Sequence, residues 1–240
     1  MTLLEYIQQR IEQNKQHNII RFPIEKRIND IEEQKKAVKK NIKDKDTEAG
    51  PQPQRPRGPQ PSGDPLYDNN IHMFMTNFNE ESCAMAIRFI LEKNVLPSKF
   101  KPKHLTIMIN SPGGEVAHAF ALIDCMKGSA IPVRTIGLGM IASCGVLTFM
   151  AGQKGHRTIT PNTSILSHQY SWGSRGKEHE LFAVVREFEM STERMLTHYR
   201  KCTGLSEKKI REVLLPPEDV WLNAEEAVKY GIADKIKSVY

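Results

Sequence analysis

The sequence is poor in the residues that staple, span or stack. Its 240 residues include only 4 cysteines, Cys83, Cys125, Cys144 and Cys202, and no two of them form a C-x-x-C pair. That spacing excludes a disulfide framework and a cysteine zinc site, and it suits reduced thiols in a cytoplasm. The 8 histidines also lack ligand spacing, so no metal is expected. No apolar run approaches the ~20 residues that cross a bilayer. The opening "MTLLEYIQQRIEQNK" has neither the basic start nor the continuous apolar core of a secretory signal, so no membrane association is expected. Aromatics make up 7% of the chain, and the densest basic cluster, "KKAVKKNIKDKD", contains none. With nothing there to stack on bases, the net charge of +6 reads as solvated helix surface rather than a nucleic-acid groove.

What is present falls into two regions. Leu4, Ile7 and Ile11, and then Ile24, Ile28, Ile31, Val38 and Ile42, recur at helical intervals among Glu, Lys and Gln. Such thin stripes predict a charged helical extension over residues 1–48, solvated or docked on a partner. Around residues 49–66 the chain is rich in Pro, Gly and Gln and nearly free of apolar side chains. It cannot bury enough surface to offset its ordering entropy, which predicts a disordered linker. A folded domain is expected over residues 67–240.

Within that domain strands and helices alternate. "IHMFM", "HLTIMIN", "PVRTIGLG", "HRTIT" and "TSILSH" read as strands. Asn79 is placed to cap the helix "EESCAMAIRFILEK", and "EVAHAFALIDCMK" reads as another helix. A long helix is expected from Lys177 to Cys202, with Leu181, Val184, Val185, Phe188, Met195, Leu196 and Tyr199 on one stripe. Asn223 and Glu226 stand at capping-box spacing before a last helix that ends at Gly231. The alternation predicts an α/β domain of right-handed βαβ units.

Four short stretches carry candidate chemistry. In "INSPGGEV", Pro112, Gly113 and Gly114 force a tight turn between a buried strand and a helix. It is either a plain connector or a place where backbone N–H groups face an anion or a developing oxyanion. In "GMIASCG", Ser143 and Cys144 stand side by side where a strand passes into an apolar helix, flanked by Ala142 and Gly145. The window is either a close-packed helix start or the seat of a nucleophile, and a serine there needs a base. His168 follows the strand "TSILSH", and Asp219 follows a proline pair and precedes an apolar Trp-Leu step. Taken singly, the first is an ordinary strand-end histidine and the second a turn or cap residue. As a third group for the imidazole, Asp219 is expected partly buried at a loop-to-strand junction.

Together these pieces resemble the ClpP family of self-compartmentalised serine proteases across about residues 70–238. "INSPGGEV" is similar to the family's "INSPGG" turn, "GMIASCG" to its "GxAASMG" nucleophile motif and "ILSHQ" to "MIHQ". "TGLSEKKIREVL" and "DVWLNAEEAVKYGIADKI" follow in the family's order and spacing. The resemblance implies the ClpP/crotonase-like fold with a projecting handle helix. It also implies Ser143 as nucleophile, His168 as general base and acid, and Asp219 as its orienting carboxylate. Gly114 and Cys144 would lend backbone N–H groups to the oxyanion hole. Cys144 otherwise competes with Ser143, because a thiolate is the stronger nucleophile; the family's Met at that position decides for Ser143. Gly113, Glu115, Val116, Gln169 and Tyr170 would flank an extended substrate.

The implied activity is endopeptidase hydrolysis of polypeptides inside stacked rings of the chain's own copies, with no cofactor and with an AAA+ unfoldase as candidate partner. Tyr170 stands where the family has Pro, and Glu218 where it has an Arg that takes part in ring-to-ring ion pairing. The residues before Ile71 do not resemble the family's pore loops. Three other readings remain at this point: a virus-type maturation protease of the same fold, a non-catalytic ring subunit, and an acyl-CoA-binding crotonase relative.

Overall fold

The computed structural model describes residues 60–171, 173 and 177–239. The chain divides into residues 1–57 and 58–240. The expected extension and most of the expected linker therefore lie outside the described residues, as do Trp172 and residues 174–176.

Strand β1 (Ile71–Phe74) follows a short helix α1 (Pro65–Asp68), whose first turn is capped by Asp64 through the amides of Leu66 and Tyr67. The last residues expected to be linker thus already belong to α1. Asn79 and Ser82 close a reciprocal capping box at the start of α2 (Glu80–Asn94), as the sequence predicts. After a 3₁₀ turn (Ser98–Phe100) come β2 (Leu105–Ser111), α3 (Val116–Gly128), β3 (Val133–Ala142) and α4 (Cys144–Met150). Then follow β4 (Arg157–Ile159), β5 (Ser164–Ser167), α5 (Glu178–Thr203), α6 (Glu207–Val213), β6 (Val220–Leu222), α7 (Ala224–Lys229) and β7 (Lys235–Ile236).

The strands form one sheet whose main path, β1-β2-β3-β4-β7, is parallel throughout. Leu105, Ile107 and Ile109 point from β2 into the core, where Ala119, Leu122 and Met126 of α3 meet them. Every residue of α4 is buried. Each fully buried Leu, Ile or Phe in such a core contributes about 1.5–3 kcal/mol.

Strand β3 changes partner along its length. Thr135–Gly137 pair with β4, whereas Met140–Ala142 pair with β5. Its pairing with β2 skips from Ile109↔Gly137 to Ser111↔Ile141, so β3 bulges in between. Gly139 supplies the left-handed φ of 59° at the bulge, and Asn110 Oδ1 accepts from the Met140 amide at 3.2 Å. A bulge bends the strand that carries it, and here it carries β3 away from β4 and toward β5. Strand β6 then adds antiparallel to β5.

Helix α5 is 26 residues long, about 39 Å at 1.5 Å per residue. Its C-terminal part packs through Met195, Leu196, Tyr199 and Cys202, while Phe182, Val185 and Met190 in its N-terminal part are exposed. The apolar stripe predicted from the sequence therefore continues past the part that the fold buries. No helix among the described residues is long and apolar enough to cross a membrane.

Behind α5 lies a buried ion pair. Arg157 Nε and its amide both donate to Asp234 Oδ2 at 2.9 Å, and Arg157 Nη1 donates to the Cys202 carbonyl at 3.0 Å. These bonds tie β4, the approach to β7 and the end of α5 together. Burial pulls the Asp234 pKa up, but the Arg157 hydrogen bonds and charge outweigh it and leave it below the usual 3.8. A lowered folded-state pKa means that the pair stabilises the fold above the unfolded value and loses that contribution as pH falls through the folded one. Asp234→Ala should lower unfolding free energy by about 3 kcal/mol at pH 7, because it strands a buried guanidinium. The difference between variant and wild type should shrink below pH 3.8. Equal urea midpoints at pH 7 would contradict this account.

Candidate active site

Three strand ends meet at one edge of the sheet. Strand β3 ends at Ala142, β5 ends at Ser167 and β6 begins at Val220. Ala142 pairs with Leu166, and Ser167 pairs with Val220. The first residues outside these ladders are Ser143, His168 and Asp219. Neighbouring strands run about 4.8 Å apart, so His168 leaves the middle strand with Ser143 on one side and Asp219 on the other.

Ser143 is the N-cap of α4, at φ 55° and ψ −119°. A non-glycine residue held there costs about 1–3 kcal/mol, and such strain clusters at functional sites. Ser143 thus stands at a sharp turn between the end of β3 and the start of α4. Its amide donates to the Leu166 carbonyl at 2.8 Å, and its carbonyl starts the α4 ladder through the amides of Val146 and Leu147.

Both neighbours of His168 are pinned. Ser167 Oγ donates to the Leu214 carbonyl at 2.6 Å, which leaves the Tyr199 hydroxyl as donor in the 2.7 Å Tyr199–Ser167 bond. Gln169 Nε2 donates to the Leu215 carbonyl at 3.0 Å. The imidazole itself is half-buried, with Nδ1 against the Gln169 carbonyl. Among the described residues no hydrogen bond joins it to Ser143 or Asp219. Asp219 is exposed, which corrects the expectation that it is partly buried: the strand it precedes, β6, has only β5 beside it and leaves its first residues open to solvent.

The "PGG" turn closes the other side. Phe78 donates to the Gly113 carbonyl at 2.8 Å and accepts from the Glu115 amide at 2.9 Å, a parallel bridge centred on Gly114. Gly113 and Gly114 have φ of 103° and 147°, and a Cβ on Gly114 would stand 2.2 Å from the Phe78 carbonyl oxygen. Only glycine fits this approach. The Gly113 amide donates to Ser111 Oγ at 3.1 Å. The Gly114 amide makes no hydrogen bond among the described residues. The Cys144 amide, in the first turn of α4, has no intrahelical acceptor.

A cleft of about 390 Å³ gathers most of the residues expected from the sequence: Ser143, Cys144 and His168 together with Gly114, Glu115 and Val116, and then Gln169 and Tyr170. Gly113 and Asp219 do not line it. Leu147, Met195 and Tyr199 do, and they give it an apolar floor that the sequence reading missed. Met195 and Tyr199 were legible only as members of the long helix's stripe. Tyr170 stacks on Phe188 at 5.8 Å and its hydroxyl donates to Glu187 at 3.4 Å, so it ties the cleft wall to α5. Among the described residues no group of three or more His, Cys, Asp and Glu side chains could hold a metal ion.

The sequence profile of the Clp protease family matches residues 64–239. The chain is also 34% identical over 152 residues to the ATP-dependent Clp protease proteolytic subunit of Deinococcus radiodurans, across 63% of this chain and 74% of that one.

Cys144 lies one residue from Ser143, yet it is a poor thiolate. Burial pushes its thiol up to about 11. At pH 8 only roughly one thiol in a thousand would be ionised. Cys144 in the folded protein should therefore resist iodoacetamide at pH 8, as read by mass spectrometry, and react quickly only after unfolding. Rapid alkylation of folded Cys144 would overturn this assignment.

Proposed function

The chain belongs to the Clp protease family, and from that membership and the geometry of its cleft we propose that it is a serine endopeptidase working inside a ring of its own copies. The observation that supports this reading is that Ser143, His168 and Asp219 are the first residues beyond the adjoining ladders of β3, β5 and β6, with a strained backbone at Ser143.

Ser143 Oγ attacks the carbonyl carbon of a substrate peptide bond while His168 takes the hydroxyl proton. The oxyanion settles on the amides of Gly114 and Cys144, which have no carbonyl acceptor among the described residues. His168 then protonates the leaving amine, and a water deprotonated by His168 hydrolyses the acyl-enzyme. Asp219 orients the imidazole and stabilises its charged form. For this the imidazole turns from the Gln169 carbonyl toward Asp219. Such bonds are often long or misaligned without substrate and tighten when it binds.

The segments Gly113–Val116 and Gln169–Tyr170 flank the cleft and receive the substrate as an extended strand, which reads backbone and tolerates many sequences. The exposed Phe182, Val185 and Met190 of α5 support burial of that helix against another copy. The relative's description as a subunit of an ATP-dependent protease supports an ATP-consuming unfoldase as partner. Four free cysteines fit a reducing cytoplasm. Residues 1–48 and the linker that runs from them to α1 form, in this reading, a separable module that governs access or localisation and takes no part in the chemistry.

Ser143→Ala, His168→Ala and Asp219→Asn should each lower turnover of a short fluorogenic peptide by on the order of 10⁴-fold, with melting temperature little changed. A folded Ser143→Ala protein that retains turnover within tenfold of wild type would sink the proposal.

A further inference from the structure

The thiol of Cys144 has no part in the mechanism above, although it is buried to 0% exposure beside the nucleophile. Its Sγ donates to the Gly114 carbonyl at 3.1 Å. That bond crosses from the first turn of α4 to the glycine turn, the two places that supply the proposed oxyanion donors.

The two peptide groups around Gly114 have four polar groups between them. The Gly113 carbonyl is held by the Phe78 amide, the Glu115 amide by the Phe78 carbonyl, and the Gly114 carbonyl by Cys144 Sγ. The fourth, the Gly114 amide, makes no hydrogen bond among the described residues, and Gly114 lines the cleft. In a planar trans peptide the N–H points opposite to the C=O, so holding the Gly113 carbonyl aims the Gly114 amide. Gly114 has no Cβ to limit its own two dihedrals, and at φ 147° it occupies a region that other residues avoid. Phe78 holds the turn from one side only. The thiol holds it from the other and links it to the residue whose own amide is the second donor.

We infer that Cys144 is a positioning residue whose S–H···O=C bond to Gly114 fixes the distance and angle between the two oxyanion donors. This rests on the serine-peptidase reading above. An S–H group is a weak donor, so its effect is on geometry that matters in the transition state and little on substrate binding. The raised pKa of the thiol keeps its proton in place through the neutral range.

The test compares Cys144→Ala with Cys144→Ser. The two replacements have nearly the same volume, and only serine retains a donor. With a short fluorogenic peptide, Cys144→Ala should lose about tenfold in kcat at unchanged KM, within the ~10²-fold that a 1 Å misplacement can cost. Cys144→Ser should stay within about threefold of wild type, a margin well below the loss of a whole oxyanion donor. Hydrogen exchange over residues 109–118 should rise in Cys144→Ala and stay near wild type in Cys144→Ser.

Wild-type kcat in Cys144→Ala overturns the inference, and so does an equal loss in both variants. A Cys144→Ala protein that loses melting temperature, kcat and KM together marks the thiol as packing alone and overturns it too. In each of these cases the serine reading stands, because the wild type is active and Ser143→Ala is not. A wild type that hydrolyses no peptide and is indistinguishable from Ser143→Ala overturns both.

Discussion

The Ser143 amide donates to the Leu166 carbonyl at 2.8 Å, and the placement of the site follows from that bond. It joins the end of β3 to the strand that delivers His168, and β5 in turn holds β6 and Asp219 on its far side. The bond can form only because β3 leaves β4 at the Gly139 bulge, where Asn110 Oδ1 takes up the Met140 amide. Had β3 continued along β4, Ser143 would emerge away from both partners. A two-residue irregularity in one strand thus decides which side chains can meet.

Holding the site has a cost that the core offsets. Ser143 sits in a backbone region worth about 1–3 kcal/mol of strain, and it stays there because α4 behind it is buried along its whole length. The Tyr199–Ser167–Leu214 relay and the Gln169–Leu215 bond do for His168 what α4 does for Ser143: they fix its neighbours rather than the side chain. Those bonds hold the residues on either side of His168, a division that suits the proton-transfer role proposed for its imidazole.

Much of this was legible in the sequence because it is local. The alternation in "HLTIMIN" gave β2, Asn79 and Asn223 announced their helices, and the stripe from Val184 to Tyr199 gave α5. Ser143, Cys144, His168 and the glycine turn were legible as motifs, and the cleft brings them together. What escaped is non-local or too short to carry a period. Strand β7 has only 2 residues. The Phe78 bridge and the Cys144–Gly114 bond join residues 36 and 30 positions apart, and no spacing rule reaches that far. The exposure of Asp219 escaped for a similar reason, since the Trp-Leu step after it suggested burial that a marginal edge strand does not provide.

The central claim is that Ser143 and His168 act on one bound peptide. A peptide chloromethyl ketone tests it, because the serine adds to the ketone carbonyl while the chloride leaves as a histidine nitrogen is alkylated. Mass spectrometry of the treated wild-type protein should find the peptidyl adduct on His168, formed far more slowly in Ser143→Ala. An adduct confined to a cysteine, or a His168 that stays unmodified while the protein continues to cleave peptides, would contradict the account.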